Sequence, residues 1–240
     1  MIQLDTPRAN LCLRLADQLD PVLAELCRAE LDHIADCLAP WGRFVAPVTI
    51  ASAVSMNQLA REASAPVDGI LCAVAEPTRV TLLRPAAWLT PPSLLALRST
   101  LIHELAHSLL FQRCAPANRE HPVALPTWFR EGMAVLVSEG PPTAGHMRRL
   151  DGRLLLRQLA CADASLVGQD ARACYDLGHL LFFRWHDTFG SRRLGSLCRH
   201  MRAGHTFDRA FGLSCKLPME MWLTAAIAQL RVGLTDEATR

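Results

Sequence analysis

Leucine positions dominate the pattern of the first forty residues. Apolar side chains recur at near-helical spacing between residues 9 and 38, at Leu11, Leu15, Leu19, Leu23, Leu26 and Leu31. Such a period is typical of a helix with one buried face. Pro21 lacks the N–H that a helix interior needs, so it breaks or restarts the helix, and Trp41-Gly42 end it. The pattern therefore predicts an N-terminal helical segment over residues 1–42.

The chain changes in character between residues 43 and 90. Short runs rich in valine, isoleucine or leucine occupy residues 44–50, 69–75 and 79–83, with Pro, Gly, Asn and Asp between them. Apolar runs bounded by turn-forming residues are typical of strands. We therefore expect a small sheet over residues 43–90, in which residues 56–64 form a short helix or a loop.

Helices are expected in the rest of the chain. Residues 92–112 are apolar and follow a Thr-Pro-Pro-Ser start, where Thr90 or Ser93 can cap the helix. Pro126 precedes a second helix at 127–138, and Gly140-Pro141-Pro142 stop it. Residues 146–232 are expected to be helical, with loops near 161–169, 190, 204–206 and 212–218.

The order of these elements predicts an α+β fold, with a small sheet followed by a mostly helical half. We expect one domain over residues 1–240, made of the helical segment 1–42, the sheet at 43–90, two helices at 91–139 and a helical subdomain at 140–240. Half of the 240 residues are hydrophobic and a fifth are charged. This composition excludes a disordered chain, a collagen and a small disulfide scaffold.

Charge and cysteine content bear on location and partners. The net charge is only +2, which gives no reason to expect nucleic acid or an acidic membrane as a partner. The N-terminus lacks a basic and then apolar leader, and no apolar run reaches the ~18 residues of a membrane span. The nine cysteines are odd in number and never spaced as CxxC, so we expect buried reduced thiols. A cytoplasmic protein is the expectation.

The segment His103-Glu104-Leu105-Ala106-His107 is the strongest chemical signal in the chain. Residues four apart on a helix lie on one face, so both imidazoles can bind one metal ion. Glu104 can then reach a water on that ion. The helix is otherwise apolar. Burying histidines and a glutamate costs free energy unless hydrogen bonds, an opposite charge or a metal ion compensates for it. The alternative is a helix face whose histidines are merely hydrogen-bonded.

Two histidines leave a catalytic zinc site one protein ligand short. Glu131 follows His107 by 24 residues, after a proline-containing loop long enough to reverse the chain. Small residues at Gly132 and Ala134 allow a close approach of helices. The alternative role for Glu131 is a solvated first-turn carboxylate, which the helix dipole favours. Together with the two histidines, Glu131 is the expected third ligand.

The HELAH segment followed by LPTWFREGMA resembles the gluzincin zinc metallopeptidases, in particular those with a W-hydrophobic-x-E-G-x-A second helix. The resemblance covers roughly residues 69–232 and is strongest over 100–134. It implies a zincin-like fold and a zinc-dependent peptidase acting on a peptide or protein. His103, His107 and Glu131 would hold Zn²⁺, and Glu104 would be the general base. The strand at 79–83, if it forms the sheet edge, could pair with an extended peptide.

The chain departs from this family pattern in three places. The exopeptidase motif GAMEN is absent, and Ser55-Met56-Asn57 is a poor match to it. Val135 stands where thermolysin-like enzymes carry a carboxylate, and Arg113 stands where metzincins carry a third histidine. Endopeptidase and exopeptidase action therefore both remain open.

Tyr175 and His179 are the main candidates to stabilise an oxyanion. They lie one turn apart on a predicted helix, and Tyr175 is the only tyrosine in the chain. His121, in the loop between the two metal helices, is a third candidate. Each of these side chains also has a simpler interpretation, in which a buried hydroxyl or imidazole only bonds a backbone carbonyl.

Two other functions are compatible with the same residues. Iron on two histidines and a carboxylate would support oxidative chemistry. Alternatively, the chain would be a catalytically silent interaction protein with a structural zinc. The presence of Glu104 favours the peptidase, because a structural site needs no base and is usually closed by four protein ligands.

Overall fold

The structure, a computed structural model, describes residues 1–63, 72–115, 124–143, 145 and 170–237. Contacts within the chain define two compact units, Met1–Arg113 and Cys114–Arg240. The fold is α+β, with a small mixed sheet near the N-terminus and helices thereafter. None of the helices in these described ranges has the length and apolar character needed to cross a bilayer. That residues 1–240 act as one catalytic domain stays a prediction.

A five-stranded sheet organises the first unit. Its strands are β1 (Ile2–Thr6), β2 (Leu11–Leu15), β3 (Val48–Ala53), β4 (Ala73–Glu76) and β5 (Arg79–Leu83). The strands lie in the order β1-β2-β3-β5-β4. The inner pairs β2–β3 and β3–β5 are parallel, whereas β1–β2 and β4–β5 are antiparallel. The prediction for residues 79–83 is confirmed, and β4 and β1 are the two edges.

The predicted helix over residues 9–20 is wrong, and the sheet extends into the segment 1–42. Three leucines alternate with Cys12 and Arg14 and are at most 2 % exposed, namely Leu11, Leu13 and Leu15. This period of two belongs to a half-buried strand, and it outweighs the looser helical spacing. Helix α1 (Pro21–Leu38) begins only where Asp20 accepts a hydrogen bond from the Val22 N–H at 3.0 Å.

Other boundaries in the first unit also shift. The strand predicted at 44–50 begins at Val48, because Pro47 has no N–H to donate to a ladder. The N–H groups of Val45 and Ala46 bond the Gln112 side chain instead. Residues 56–64 hold a short helix, α2 (Met56–Ala63), rather than a loop. Of the strand predicted at 69–75, residues 69–71 lie outside the described residues.

The expected helices of the second half are confirmed where the chain is described. They are α3 (Leu94–Cys114), α4 (Thr127–Glu139), α5 (Asp170–Arg202), α6 (Phe207–Cys215) and α7 (Met219–Glu237). Gly190, with φ +71°, interrupts α5 at the predicted loop. The loop predicted at 212–218 begins later, because α6 continues to Cys215 and Lys216 ends it in the left-handed region, with φ +59°. The helix and loop predicted over 146–169 lie outside the described residues.

Aromatic rings fill the core of the second unit. We call the following set the aromatic layer: Trp128, Phe129, Phe182, Trp185, Phe207, Phe211 and Trp222. Trp128 stacks on Trp222 with ring centroids 5.4 Å apart, and Phe129 meets Phe182 edge to face at 5.0 Å. Such contacts join α4 to α5, α6 and α7, so α4 is held in place by large, rigid side chains.

Candidate metal centre

The two histidines of α3 face each other as their spacing predicts. Their Nε2 atoms lie 3.1 Å apart, and the rings meet at 85°. His107 is buried and His103 is half-buried. Nitrogen ligands at 2.0–2.1 Å from a tetrahedral zinc would be separated by about 3.3 Å. The pair therefore already has close to the separation that one shared ion requires.

Glu131 lies in the buried part of α4. The residue is only 5 % exposed, and every residue from 131 to 137 is buried. The Arg130 Nε–H donates to its Oε1 at 2.9 Å. A carboxylate in such surroundings costs free energy unless a cation or hydrogen-bond donors compensate it. The interpretation of Glu131 as a solvated first-turn carboxylate is therefore wrong.

A close crossing of helices fixes the backbone around Glu131. A Cβ atom added to Gly132 would lie 2.1 Å from the carbonyl oxygen of Gly178 in α5. Gly178 has little space as well, with Trp128 O 3.1 Å from its own virtual Cβ. Neither helix could carry a larger residue here without moving apart. The small residue after Glu131 thus has a packing reason, and the helix that approaches it is α5.

His103, His107 and Glu131 form a group of possible metal ligands. Each offers one ligand atom, and these atoms all lie within 4.8 Å of one another. Two imidazole nitrogens and a carboxylate oxygen make a donor set that zinc accepts. Among the residues that the structure describes, this is the one such group of three or more His, Cys, Asp or Glu side chains. The residues fit a divalent ion of this kind.

Glu104 lies on α3 beside the start of the edge strand β4. It is half-buried. Burial, and then the negative charge of the Glu104 carboxylate, raise the pKa of the Cys72 thiol above its usual range. One turn further along α3, the Ser108 hydroxyl donates to the Glu76 carbonyl at 2.6 Å. The HELAH segment and the edge strand are therefore neighbours within the first unit.

Gln112 is a residue that sequence reasoning missed. Its side chain accepts from the N–H groups of Val45 and Ala46 at 2.8 and 3.0 Å. Its amide donates to the carbonyls of Ala46 and Pro77 at 3.1 and 2.6 Å. It thereby ties α3 to the chain before β3 and to the β4–β5 turn. A glutamine inside an apolar helix was the signal that could have revealed it.

Residues 79–83 do not form the sheet edge, so the condition for peptide pairing at this strand is not met. β5 pairs with β3 on one side and β4 on the other, so its backbone groups are already used. The antiparallel strand β4 is the edge at this end of the sheet. An extended peptide would therefore have to pair with β4 and not with β5.

The oxyanion candidates lie on α5 or outside the described residues. Tyr175 is half-buried. His179 is fully buried, and its Nε2 lies 2.8 Å from the Gly140 carbonyl oxygen, so that nitrogen carries the proton. This bond satisfies a backbone carbonyl just after α4, which is a structural role. His121 lies outside the described residues, and the catalytic roles of all three stay predictions.

Comparison with known proteins finds only a weak structural similarity. No protein-family model matches the chain, and no curated protein matches it. Among solved structures, the chain is similar to an M1 zinc metallopeptidase from Deinococcus radiodurans. The TM-score is 0.42 and the identity 15%, over 92% of this chain and 47% of the other. The chain thus spans about half the length of that protein.

Proposed function

We propose that the protein is a zinc-dependent peptidase with a zincin-like arrangement of its metal helices. The observation that carries the proposal is the group of His103, His107 and Glu131, with a glutamate directly after the first histidine. Three protein ligands suit a catalytic zinc, because they leave a coordination position open. Glu104 lies on the same helix and has the chemistry of a general base.

The donor set supports zinc over magnesium and calcium. Nitrogen and carboxylate ligands suit zinc, whereas magnesium and calcium prefer oxygen alone. The 3.1 Å separation of the imidazole nitrogens fits adjacent corners of a tetrahedron. Iron accepts the same ligands, so the identity of the metal is part of the proposal and is tested below.

Different residues of the chain then carry out the separate steps of hydrolysis. Zinc, when bound, acidifies water and polarises a carbonyl group. Glu104 accepts the proton of the attacking water and passes it to the leaving amine. Tyr175 donates from its hydroxyl to the oxygen on which negative charge develops. We favour Tyr175 over His179, because the Nε2–H of His179 already binds the Gly140 carbonyl.

The edge strand β4 supports a peptide as the substrate. The Leu83 N–H donates to the Cys72 carbonyl at 2.8 Å. This bond shows which opposite residues of β4 and β5 are hydrogen-bonded to each other. In an antiparallel pair hydrogen-bonded residues alternate, so the backbone groups of Ala73 and Ala75 point away from β5. A peptide pairing there would run beside the HELAH helix, to which Ser108 binds this strand.

The test combines metal content with a cleavage assay. Protein purified without added metal should contain one equivalent of zinc. Wild type should hydrolyse members of an unstructured peptide mixture in ¹⁸O-water, and mass spectrometry should find ¹⁸O in each new carboxyl group. Glu104→Gln should keep the zinc and lose at least about 100-fold in rate, because it removes only the base.

Glu25→Gln is the matched control. Glu25 lies on α1, and its side chain is 74% exposed. Its Oε2 lies 3.6 Å from the Arg28 Nη1. The control should cleave like wild type. Equal turnover by Glu104→Gln would remove Glu104 from the mechanism. One equivalent of iron without zinc would favour oxidative chemistry, and zinc without cleavage would favour a silent interaction protein.

A cytoplasmic location belongs to the same proposal. The seven cysteines whose side chains the structure describes form no disulfide among themselves. Reduced thiols fit a reducing compartment, in which disulfides are rare.

A further inference from the structure

An arginine binds the proposed third ligand from a neighbouring position. Arg130 directly precedes Glu131 in α4, and successive residues of a helix project about 100° apart. Such neighbours do not normally face each other. Here the arginine side chain nevertheless returns to the carboxylate, with Nε 2.9 Å from Oε1. The contact is therefore a specific arrangement and not a default of helical spacing.

The two partners differ sharply in exposure. The Glu131 side chain is 7% exposed and the Arg130 side chain 38%. Arg130 thus supplies charge to a nearly buried carboxylate while its own side chain stays partly exposed to water. A carboxylate has two oxygens that accept hydrogen bonds. Holding Oε1 limits the rotation of the group and so determines the direction in which Oε2 points.

We propose that Arg130 is a positioning residue that orients Glu131 to bind zinc through one oxygen. The inference rests on the proposed function, because it assumes that Glu131 is a ligand. Partners that hold metal ligands typically contribute about 10–100-fold to metal affinity. Arg130 would do so by fixing the carboxylate before the ion arrives, which reduces the entropy lost on binding.

Repulsion between the guanidinium and the ion opposes this effect. The Arg130 side chain is 38% exposed, so water screens its charge and weakens the repulsion. The hydrogen bond to the buried Oε1 is less exposed to such screening. We therefore expect orientation to exceed repulsion, and loss of the arginine to weaken zinc binding.

Zinc affinity of the full chain tests the inference without any substrate. Arg130→Met keeps the side chain long but removes the charge and the donors. Competition with a chromophoric chelator should show zinc binding weakened about 10–100-fold. The visible spectrum of the cobalt-loaded variant should also change, because it reports ligand geometry. A merely structural role for Arg130 would leave that spectrum unchanged.

Arg28→Met is the matched control. Arg28 is 42% exposed and pairs with Glu25 on α1 at 3.6 Å. The Arg28→Met variant should bind zinc with the affinity of the wild type. Arg130→Lys keeps the charge without the planar guanidinium, and it should recover only part of the affinity.

Three results would overturn the inference. Wild-type affinity in Arg130→Met would show that the arginine does not support the ligand. Full recovery in Arg130→Lys would assign the effect to charge and not to orientation. Absence of stoichiometric zinc binding by wild type itself would overturn the proposed function, and this inference with it. The three results are distinguishable in one titration series.

Discussion

Replacing Gly132 with alanine should push α4, which carries Glu131, away from α5. The new Cβ would lie 2.1 Å from the Gly178 carbonyl oxygen and 2.6 Å from the Phe182 Cβ. Ordinary contact of such atoms begins at 3.4 Å, so the backbones must move apart by roughly 1.3 Å. The atoms in the way belong mainly to backbone, which cannot rotate aside.

The expected cost follows from two opposing effects. Overpacking of a well-packed core costs about 1–3 kcal/mol, and contact with rigid backbone favours the upper end. Alanine regains about 1 kcal/mol over glycine in helix propensity. We therefore expect unfolding free energy to fall by about 2 kcal/mol. Zinc affinity should fall as well, because Glu131 is the adjacent residue.

Urea unfolding, followed by tryptophan fluorescence, measures the change. Gly212→Ala is the matched control, since Gly212 lies inside α6 and, apart from its own helix, no atom of the described residues would lie within 4 Å of an added Cβ. That variant should be as stable as wild type or up to about 1 kcal/mol more stable. Gly178→Ala should fall between the two, because its nearest atom is at 3.1 Å. Equal stability of the Gly132 and Gly212 variants would refute the close-crossing argument.

Three further predictions concern the rest of the described chain. Gln112→Leu should lower the unfolding free energy by about 1–3 kcal/mol in urea titrations, because it removes the hydrogen bonds that the Gln112 side chain makes to the backbone of Val45, Ala46 and Pro77; an unchanged midpoint would contradict this. Burial raises the pKa of the Cys27 thiol from 9.0 to about 12, so its contribution to stability is fully present below pH 9 and is lost as the pH rises towards 12. Removing this thiol in Cys27→Ala should flatten the decline of stability above pH 9, and an equal slope would exclude Cys27 as its source. Lys216→Gly should stabilise the protein by about 1 kcal/mol, because glycine adopts the observed φ of +59° without strain. The thermal midpoint should rise accordingly, and a lower midpoint would contradict this.

Much of the candidate site could be predicted because its signal is local. The spacing of His103 and His107 needs only a helix, and helical geometry then brings their rings together. Glu131 required a guess about chain reversal, which the distances among the three side chains support. The glutamine in an apolar helix indicates that Gln112 has polar partners, but the contacts of Arg130 and Gln112 themselves were not predictable, since they depend on rotamers and on distant backbone groups.

The fold was less predictable at its N-terminus for a definite reason. Leu11 and Leu15 fit a helical period and also a period of two, and only Leu13 between them distinguishes the strand. Strand β5 was located correctly, but its position within the sheet depends on pairing with β3 and β4. Local patterns do not encode which strand becomes the edge.

The aromatic layer also provides an optical probe of the second unit. Trp128, Trp185 and Trp222 are buried in it, and the first and last are stacked with centroids 5.4 Å apart. Asymmetric, immobile rings in such close contact give strong near-ultraviolet circular dichroism, which vanishes when side-chain packing loosens even if the helices survive. Trp128 lies one turn before Glu131. A change in that dichroism on adding zinc would report directly on the helix that carries the carboxylate.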